Sequence, residues 1–352
     1  MSTDASDAPS SPLGRLGLGS RPLGGPAVVD GVPVGGAEIS SDQALALLHR
    51  AWSAGIRRIH SSDVYGLGHA ERLIGRLRND LGEDAARELR LSITLGQFRG
   101  TASHSLQPVH MRHQLELLNE NAGVEELDII SLARVDPGLG DADEIVEVMR
   151  SLRDSGWTRS LGLPLPATAG RTDESAGFAR FTELLHRVQP DVLAVGFADL
   201  LPSARLGAES VREFAHRKGY GLVVHGPLSH GLLTGVYSSG AEHRFAEGDL
   251  RAMHGWFGAQ PLRTVDRHLD RLRERFGPDP AQLVRLALQY CLQSSDRATV
   301  MVGASSGEQV DGLLAAARSP LSVEEFGFVE SVYDALCAEL PAPATPTGAA
   351  RN

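Results

Sequence analysis

Short apolar stretches alternate with longer amphipathic stretches along most of the chain. In Arg15–Ser20, leucines alternate with glycines, a period typical of a strand. Beyond Ser40 and Gln43, which form a capping box, apolar side chains repeat at helical spacing. The whole pattern predicts eight strands, namely Arg15–Ser20, Arg58–Ser61, Leu91–Leu95, Leu127–Ala133, Arg159–Leu163, Asp191–Phe197, Gly221–His225 and Thr299–Val302.

Helical patterns separate these strands. The predicted helices are one that begins near Ala44 and ends at Gly55, then Glu71–Arg78, Val109–Asn119, Ala142–Ser155, Phe178–Val188, Ser210–Arg217, Thr264–Phe276, Pro280–Leu292 and Gln309–Ala317. Strands that alternate with helices indicate an α/β protein with a parallel sheet buried on both faces. Eight such units favour a closed (β/α)8 TIM barrel over an open sheet.

No change of composition divides the 352 residues, so we predict one barrel domain over residues 13–340. Residues 1–12 are rich in Ser, Asp and Pro, and residues 341–352 in Pro, Ala, Thr and Gly. Both compositions predict disordered tails. The segment Ser229–Gln260 interrupts the alternation, and we expect it to cover the site and to set specificity.

Composition excludes several classes of function. A net charge of −10 without a basic stripe argues against a nucleic-acid partner. The absence of a run of eighteen apolar residues argues against a membrane span, and the N-terminus lacks the apolar region of a signal peptide. The two cysteines, Cys291 and Cys337, predict no disulfide framework and fit a cytoplasmic location. The excess of Arg over Lys and the many Ala, Gly and Leu residues favour a GC-rich bacterial source. The pattern predicts no oligomeric state.

Candidate chemistry lies at the carboxyl ends of the predicted strands, where barrels place their sites. Tyr65, His60 and His225 can each move a proton there. These ends comprise His60–Tyr65, Leu95–Arg99, Ala133–Asp136, Pro164–Pro166, Phe197–Asp199, His225–His230 and Gly303–Ser306. Arginine stays charged near neutral pH and Lys218 is the one lysine of the chain, so a mechanism that needs a lysine would have to use it.

Three groups of residues resemble the aldo-keto reductase superfamily. Gly55-Ile56-Arg57 through Asp63-Val64-Tyr65-Gly66, followed by Gly68, Glu71 and Gly75, resembles that family's signature. Gly226-Pro227-Leu228 with Gly231–Gly235 is similar to its turn after the seventh strand. Val302–Ser306 with Glu308-Gln309 is similar to its last phosphate-binding turn. The resemblance spans Leu16 to about Leu336 and implies a TIM barrel that transfers hydride between a nicotinamide cofactor and a carbonyl.

The resemblance also implies a catalytic tetrad, and this chain departs from it. Tyr65 occupies the place of the proton-donating tyrosine, but His60 stands where the family has an aspartate. Leu95 occupies the place of the lysine, and Ala133 that of the histidine. Three of the four positions are therefore substituted. Lys218 is expected at the opposite end of the barrel, so protonated His60 or Arg99 would have to supply a positive charge near the phenol.

The positions that the family uses for its cofactor are altered in a similar way. Pro164-Leu165 replaces the Ser-Asn pair that holds the nicotinamide amide, Ala194 replaces a Gln, and His225 replaces the stacking aromatic ring. At the adenine end the phosphate-binding candidates remain, namely Gly303, Ser305, Ser306 and Gln309. These residues could still bind a phosphate at a helix N-terminus. Use of NADP or NAD and use of no cofactor therefore both stay open.

Each candidate residue also has a structural interpretation. Tyr65 could be an inherited residue of the barrel rim, His60 a packed histidine, and His225 a stacking, proton-transferring or packed ring. Asp63 is expected to cap a turn, and His69 and His230 to be solvated or packed in loops. His110 and His113 have the spacing of metal ligands but no third ligand nearby, so we predict no metal site.

Three hypotheses about function follow. The favoured one is a repurposed small-molecule enzyme that performs acid/base, redox-neutral chemistry in bacterial biosynthesis, such as dehydration, isomerisation or cyclisation. The second is an NAD(P)H-dependent oxidoreductase that acts on a carbonyl or sugar-like substrate with a rebuilt site, His60 replacing the lysine. The third is a non-catalytic scaffold or metabolite sensor.

Overall fold

The computed structural model describes residues 12–102, 104–135, 140–166 and 176–340. Its centre is a closed barrel of eight parallel strands, in which β1 pairs with both β2 and β8. The strands are β1 (Leu16–Gly19), β2 (Arg58–Ser62), β3 (Arg90–Leu95), β4 (Leu127–Leu132), β5 (Thr158–Pro164), β6 (Val192–Gly196), β7 (Gly221–His225) and β8 (Ala298–Gly303). The prediction of a TIM barrel is confirmed.

Helices surround the barrel and bury their apolar faces on its strands. They are α1 (Ser41–Ser53), α2 (His69–Leu81), α3 (Pro108–Ala122), α4 (Ala142–Asp154), α5 (Ala176–Val188), α6 (Val211–Lys218), α7 (Ala259–Phe276), α8 (Pro280–Leu292), α9 (Gly307–Ala317) and α10 (Val323–Glu339). The capping box of Ser40 and Gln43 begins α1 as predicted. The sequence pattern missed α10 and the single turns Arg21–Gly24 and Glu83–Ala86.

The parallel register sets polar side chains side by side at the carboxyl end of the barrel. His60 on β2 pairs with Ser92 on β3, and Gly19 at the end of β1 pairs with His60. On β7, His225 pairs with Gly196 and Met301. The strands β7, β8, β1 and β2 are successive neighbours in the barrel, so the side chains of His60 and His225 meet across its interior.

The long segment after β7 is folded back onto the first loop of the chain. It contains the short 3-10 helices Ser229–Thr234, Leu250–Ala252 and Gly255–Phe257. The amide of Ala27 donates to the carbonyl of Gly248 at 3.1 Å, and Gly35 forms a parallel bridge with Asp249. The segment therefore lies over the same end of the barrel as β1 and its turn.

Some of the predictions fall outside the described residues. Residues 1–11 and 341–352, which hold nearly all of the two predicted tails, are among these, and so is Asp136. The domain boundaries at residues 13 and 340 stay a prediction. Within the described ranges, none of the helices combines the length and the apolar character needed to span a membrane.

Candidate active site

The phenol of Tyr65 lies at the barrel mouth beside a guanidinium. Nη2 of Arg21 donates a hydrogen bond to Oη of Tyr65 at 3.1 Å, and the guanidinium carbon lies 5.1 Å from the ring centre. Tyr65 is 7% exposed, so water screens this charge only weakly. A guanidinium at this distance would favour negative charge on the phenol oxygen.

The turn after β1 brings this arginine to Tyr65. The amide of Ser20 donates to the carbonyl of His60 at 2.8 Å, and the chain then makes the single helical turn Arg21–Gly24. Gly24 packs so tightly on the loop after β2 that a Cβ there would lie 2.7 Å from the carbonyl carbon of Tyr65. A larger residue at Gly24 would push the turn, and with it the guanidinium, away from the phenol.

His60 is buried in the barrel and both of its ring nitrogens have partners. Oγ of Ser92 lies 3.3 Å from Nδ1 and donates its own proton to the carbonyl of Ile59 at 3.3 Å. If the Ser92 proton goes to Ile59, Ser92 accepts from Nδ1–H and Nε2 accepts from the hydroxyl of Thr94, which lies 3.3 Å away. Burial, followed by electrostatic interactions with His225 and Arg21, holds the pKa of His60 well below its ordinary value. His60 is thus a neutral imidazole, and each of its ring nitrogens already lies within hydrogen-bonding distance of a hydroxyl group.

His225 packs on His60 but its hydrogen bonding differs. The two ring centres lie 4.3 Å apart at an interplanar angle of 52°. Nε2 of His225 is buried and has no hydrogen-bond partner. Burial, followed by the charge of Arg21, lowers the pKa of His225 to about 4. The ring is therefore uncharged at neutral pH, and its Nε2 lacks a hydrogen-bond partner.

The expectation that His60 or Arg99 supplies the positive charge near Tyr65 is wrong. His60 is uncharged because its pKa is depressed. Arg99 lies in the loop after β3, where its backbone amide donates to the carboxylate of Asp30 at 3.2 Å. The cation is Arg21, which sequence reasoning missed because the end of β1 was not counted among the strand ends. Because a barrel places the ends of all its strands at one mouth, the barrel prediction could have identified Arg21, which lies just after β1.

The segment after β7 adds two more imidazoles to the mouth. The rings of His230 and His254 lie 5.4 Å apart, edge to face. Burial and then the charge of Arg21 lower the pKa of His230 well below its ordinary value, and burial is also the main cause that lowers the pKa of His254. His230 has φ of 58°, a left-handed conformation that costs free energy outside glycine and occurs often at functional sites. The expectation that this segment covers the site agrees with these interactions.

Two buried carboxyl groups support the loop after β2. The carboxylate of Asp63 accepts hydrogen bonds from the amides of Gly96, Gln97 and Phe98 at 2.8, 3.1 and 3.1 Å, which is the turn-capping role expected of it. Burial nevertheless raises the pKa of Asp63 to about 6. Glu71 on α2 is 2% exposed, and burial raises its pKa to about 7.

Glu71 ends a chain of hydroxyl groups that ties β1 to β2. Oγ of Ser20 donates to Oγ of Ser61 at 2.8 Å, and Ser61 donates in turn to Oε1 of Glu71. Oε2 of Glu71 is buried without a hydrogen-bond partner. This network fixes the end of β1 next to β2, and so it fixes the base of the turn that carries Arg21.

A family model decides the classification of this chain. The model of the aldo/keto reductase family matches residues 15–334. The chain belongs to the aldo-keto reductase family. It is 23% identical to the NADH-specific methylglyoxal reductase of Escherichia coli over 336 residues, which are 92% of this chain and 96% of that protein. It is 26% identical over 282 residues to a putative voltage-gated potassium channel subunit beta of Schizosaccharomyces pombe, 75% of each chain.

Solved structures show the same fold. A glycerol dehydrogenase from Gluconobacter oxydans superimposes with a TM-score of 0.68 at 21% identity, covering 99% of this chain and 98% of its own. An aldo-keto reductase from Bacillus halodurans in its holo form superimposes with a TM-score of 0.62 at 20% identity, covering 90% and 91%. At these identities the likeness establishes the barrel and leaves the chemistry to the side chains of this chain.

Apolar side chains occupy the positions where the family resemblance places cofactor and tetrad groups. Leu95, in the place of the lysine, is fully buried, and Leu165 and Ala194 are 9% and 8% exposed. Pro164 is the last residue of β5. None of these side chains carries a hydrogen-bonding group that could hold a nicotinamide amide. The nicotinamide end of the family's cofactor site therefore does not fit the residues present.

In contrast to these buried apolar positions, the turn after β8 is exposed and contains polar side chains. Gly303, Ser305, Ser306 and Gln309 are exposed, and Oγ of Ser306 caps α9 by accepting from the amide of Gln309 at 3.2 Å. Oε1 of Gln309 accepts from the amide of Ser305 at 2.8 Å. The predicted phosphate-binding residues are thus brought together at the N-terminus of an eleven-residue helix, the kind of place that attracts a phosphate.

The other histidines considered from sequence have structural partners. His110 donates from Nε2 to the carbonyl of Phe98 at 2.8 Å, and Nε2 of His69 lies 3.3 Å from the hydroxyl of Ser41. His113 shares α3 with His110. Over the described ranges no three His, Cys, Asp or Glu side chains are grouped to hold a metal ion.

Proposed function

We propose that this aldo-keto reductase family member is a small-molecule enzyme in which Tyr65 is the general acid and His225 the general base of a redox-neutral reaction. The observation that carries the proposal is that Tyr65 and His225 differ in their hydrogen bonding. Arg21 donates to the phenol of Tyr65 and also lowers the pKa of His225, a neutral imidazole whose Nε2 has no partner. One donor and one acceptor placed at one mouth are the minimum for acid/base catalysis.

The proposed reaction is a proton transfer next to a carbonyl or hydroxyl group. In a dehydration, Nε2 of His225 takes the proton from carbon and the electron pair of that bond forms the new double bond. The hydroxyl group leaves with the proton of Tyr65 as water. Solvent then returns the proton of His225 to the phenolate. Arg21 stabilises that phenolate, and no electrons are gained or lost overall.

His60 has a positioning role in this proposal. Its two nitrogens are taken by Ser92 and Thr94, and its ring fixes the plane of His225. It therefore acts through His225 and does not contact the substrate. This differs from the expectation that His60 itself transfers a proton.

A second candidate function, reduction of a carbonyl with a nicotinamide cofactor, is supported by a different observation. Ser305, Ser306 and Gln309 lie together at the N-terminus of α9, where a phosphate could bind, and two relatives are named as a reductase and a dehydrogenase. Arg21, in place of the lysine, would then stabilise the charge on Tyr65. Against this candidate stand the apolar residues at Leu95, Leu165 and Ala194, because loss of orientation by about 1 Å can cost on the order of a hundredfold in rate.

One experiment separates the two candidates. The purified protein is incubated in heavy water, without cofactor, with small hydroxy-carbonyl compounds, and NMR follows deuterium exchange and water loss. Parallel samples contain NADH or NADPH, and absorbance follows cofactor oxidation. Exchange or dehydration without cofactor that is lost in Tyr65→Phe supports acid/base chemistry. Cofactor oxidation coupled to carbonyl loss, with no exchange in its absence, would reject it in favour of reduction.

A further inference from the structure

The charge of Arg21 has no counter-charge in the described parts of the chain. Its one hydrogen bond there is the contact with the phenol of Tyr65, and none of the ion pairs between described residues includes it. Nε of Arg21 is buried without a hydrogen-bond partner. A partly buried guanidinium without a counter-charge is costly, so a ligand that supplies a negative charge would be bound favourably.

Two acidic side chains at this end of the barrel already have hydrogen-bond partners. Asp249, on the segment that covers the mouth, is 1% exposed and both of its carboxylate oxygens accept hydrogen bonds from Arg251. Asp63 is held by three backbone amides. Neither carboxylate is available to neutralise Arg21.

The groups that face Arg21 from the covering segment include a hydrogen-bond donor. The amide of Trp256 donates to Nδ1 of His254 at 3.3 Å, so the neutral ring carries its proton on Nε2. The charge of Arg21 contributes to the lowered pKa values of four rings, His60, His225, His230 and His254. At the barrel mouth the charge of Arg21 therefore lies among neutral imidazole rings. Such a site is electrostatically complementary to a ligand with one negative charge.

We propose that the ligand of this site carries a carboxylate group, which binds to Arg21 between the turn after β1 and the segment that holds His254. This inference rests on the proposed function in that it assigns the substrate class of the same site. A carboxylate matches the planar fork of a guanidinium and brings the single charge that the site lacks. A phosphate monoester would bring close to two charges at neutral pH, and Arg251, which also acts on His230, is already paired with Asp249.

The carboxylate would also prepare the proposed base. Arg21 is the second cause, after burial, of the depressed pKa of His225. A carboxylate on Arg21 offsets that charge, so the pKa of His225 rises towards the working pH, where a general base is more effective. Binding of the substrate would thus improve the base that acts on it.

The test is an NMR titration of the full-length protein labelled with nitrogen-15 in its histidines. The probes are lactate and pyruvate, with lactamide as the uncharged match of lactate and inorganic phosphate as the other anion. We expect saturable shifts of histidine signals with the two carboxylates and not with lactamide. Arg21→Gln should weaken carboxylate binding by roughly tenfold to a hundredfold. Arg99→Gln, at another strand end of the same mouth, should leave it within about twofold.

The outcomes separate this inference from the proposed function. Equal binding of lactamide and lactate, or unchanged affinity in Arg21→Gln, would overturn it. So would tighter binding of phosphate than of either carboxylate with the same dependence on Arg21. Should Arg21→Gln fail to fold, Arg21→Lys keeps the charge without the fork, and affinity equal to wild type would count against a forked contact. Tyr65→Phe should keep carboxylate binding while it abolishes turnover. Turnover that depends on Tyr65 with an uncharged substrate only would uphold the acid/base proposal and reject the carboxylate.

Discussion

The carboxyl ends of β2 and β7 carry the same residue type in two different chemical states. At the end of β2, His60 has a partner for each ring nitrogen, Ser92 for Nδ1 and Thr94 for Nε2. At the end of β7, Nε2 of His225 is buried with no partner. The two rings touch and both have depressed pKa values. The comparison teaches that burial and charge do not distinguish the two rings, whereas the hydrogen-bond partners of their Nε2 atoms do, and this difference underlies the proposal that His225 rather than His60 is the base.

The largest expected effect comes from removing the base on β7. His225→Gln keeps a polar side chain in the same place but cannot accept a proton at neutral pH, so kcat for the acid/base reaction should fall by about a hundredfold to ten-thousandfold. The matched variant, His60→Gln, should reduce kcat by less than about tenfold because it acts through ring position. Steady-state kinetics on both variants is the measurement. Equal losses would show that the two strand ends share the chemistry.

The second expected effect is a loss of stability, which should be larger for a substitution on β2 than for one on β7. His60→Ala leaves a cavity beneath His225 and deprives Ser92 and Thr94 of a partner, so the free energy of unfolding should drop by about 3 kcal/mol. Urea denaturation followed by circular dichroism measures this. His225→Ala should cost less, because no hydrogen bond of Nε2 is lost with it. A larger loss for His225→Ala would contradict the assignment of His60 as the packed ring.

A third expected effect concerns Glu71, whose network underlies β2. Its pKa in the folded protein is about 7 against an ordinary 4.5, so between these pH values the folded state binds more protons than the unfolded state. Stability of the native chain should therefore fall as pH rises through this window. Because glutamine does not titrate, Glu71→Gln should gain about 3 kcal/mol relative to wild type between pH 4.5 and pH 8.

Denaturation at a series of pH values, with the exposed Glu308→Gln as control, measures this difference. The control should track wild type across the range. A gap between Glu71→Gln and wild type that stays constant with pH would show that Glu71 is ionised in the folded protein throughout.

The sequence was sufficient for the barrel, because strand and helix periods depend on burial, which side-chain pattern reports directly. The last helix, α10, was missed although Ser322 and Glu325 form a capping box at its start, so its signal was present. The pairing of Arg21 with Tyr65 had no such local signal. It depends on Gly24 closing on a loop about forty residues further along the chain, and on a register that only the closed barrel creates.

The hydrogen-bond partners of the two histidines could not be predicted from the sequence either. The partners of His60 lie on the next strand, 32 and 34 residues away, and both Ser and Thr are common in barrel interiors without contacting a histidine. Sequence reasoning could name Tyr65, His60 and His225 as one group. It could not divide the group into a donor, a positioning ring and an acceptor, because that division depends on hydrogen-bond geometry.

The smallest expected effect comes from a variant that leaves Nε2 unpaired in both histidines. Thr94→Val keeps the shape of the side chain and removes the hydroxyl that donates to Nε2 of His60. His60 then has an unsatisfied Nε2, as His225 has, and the free energy of unfolding should fall by about 1 kcal/mol. Since the ring stays locked by Ser92 and packed on His225, kcat should remain within about twofold. Denaturation and kinetics on this one variant therefore test whether an unpaired nitrogen alone makes a base. A rise in kcat would mean that His60 can share proton transfer once it is released, and the assignment of the base would then move from β7 to both rings.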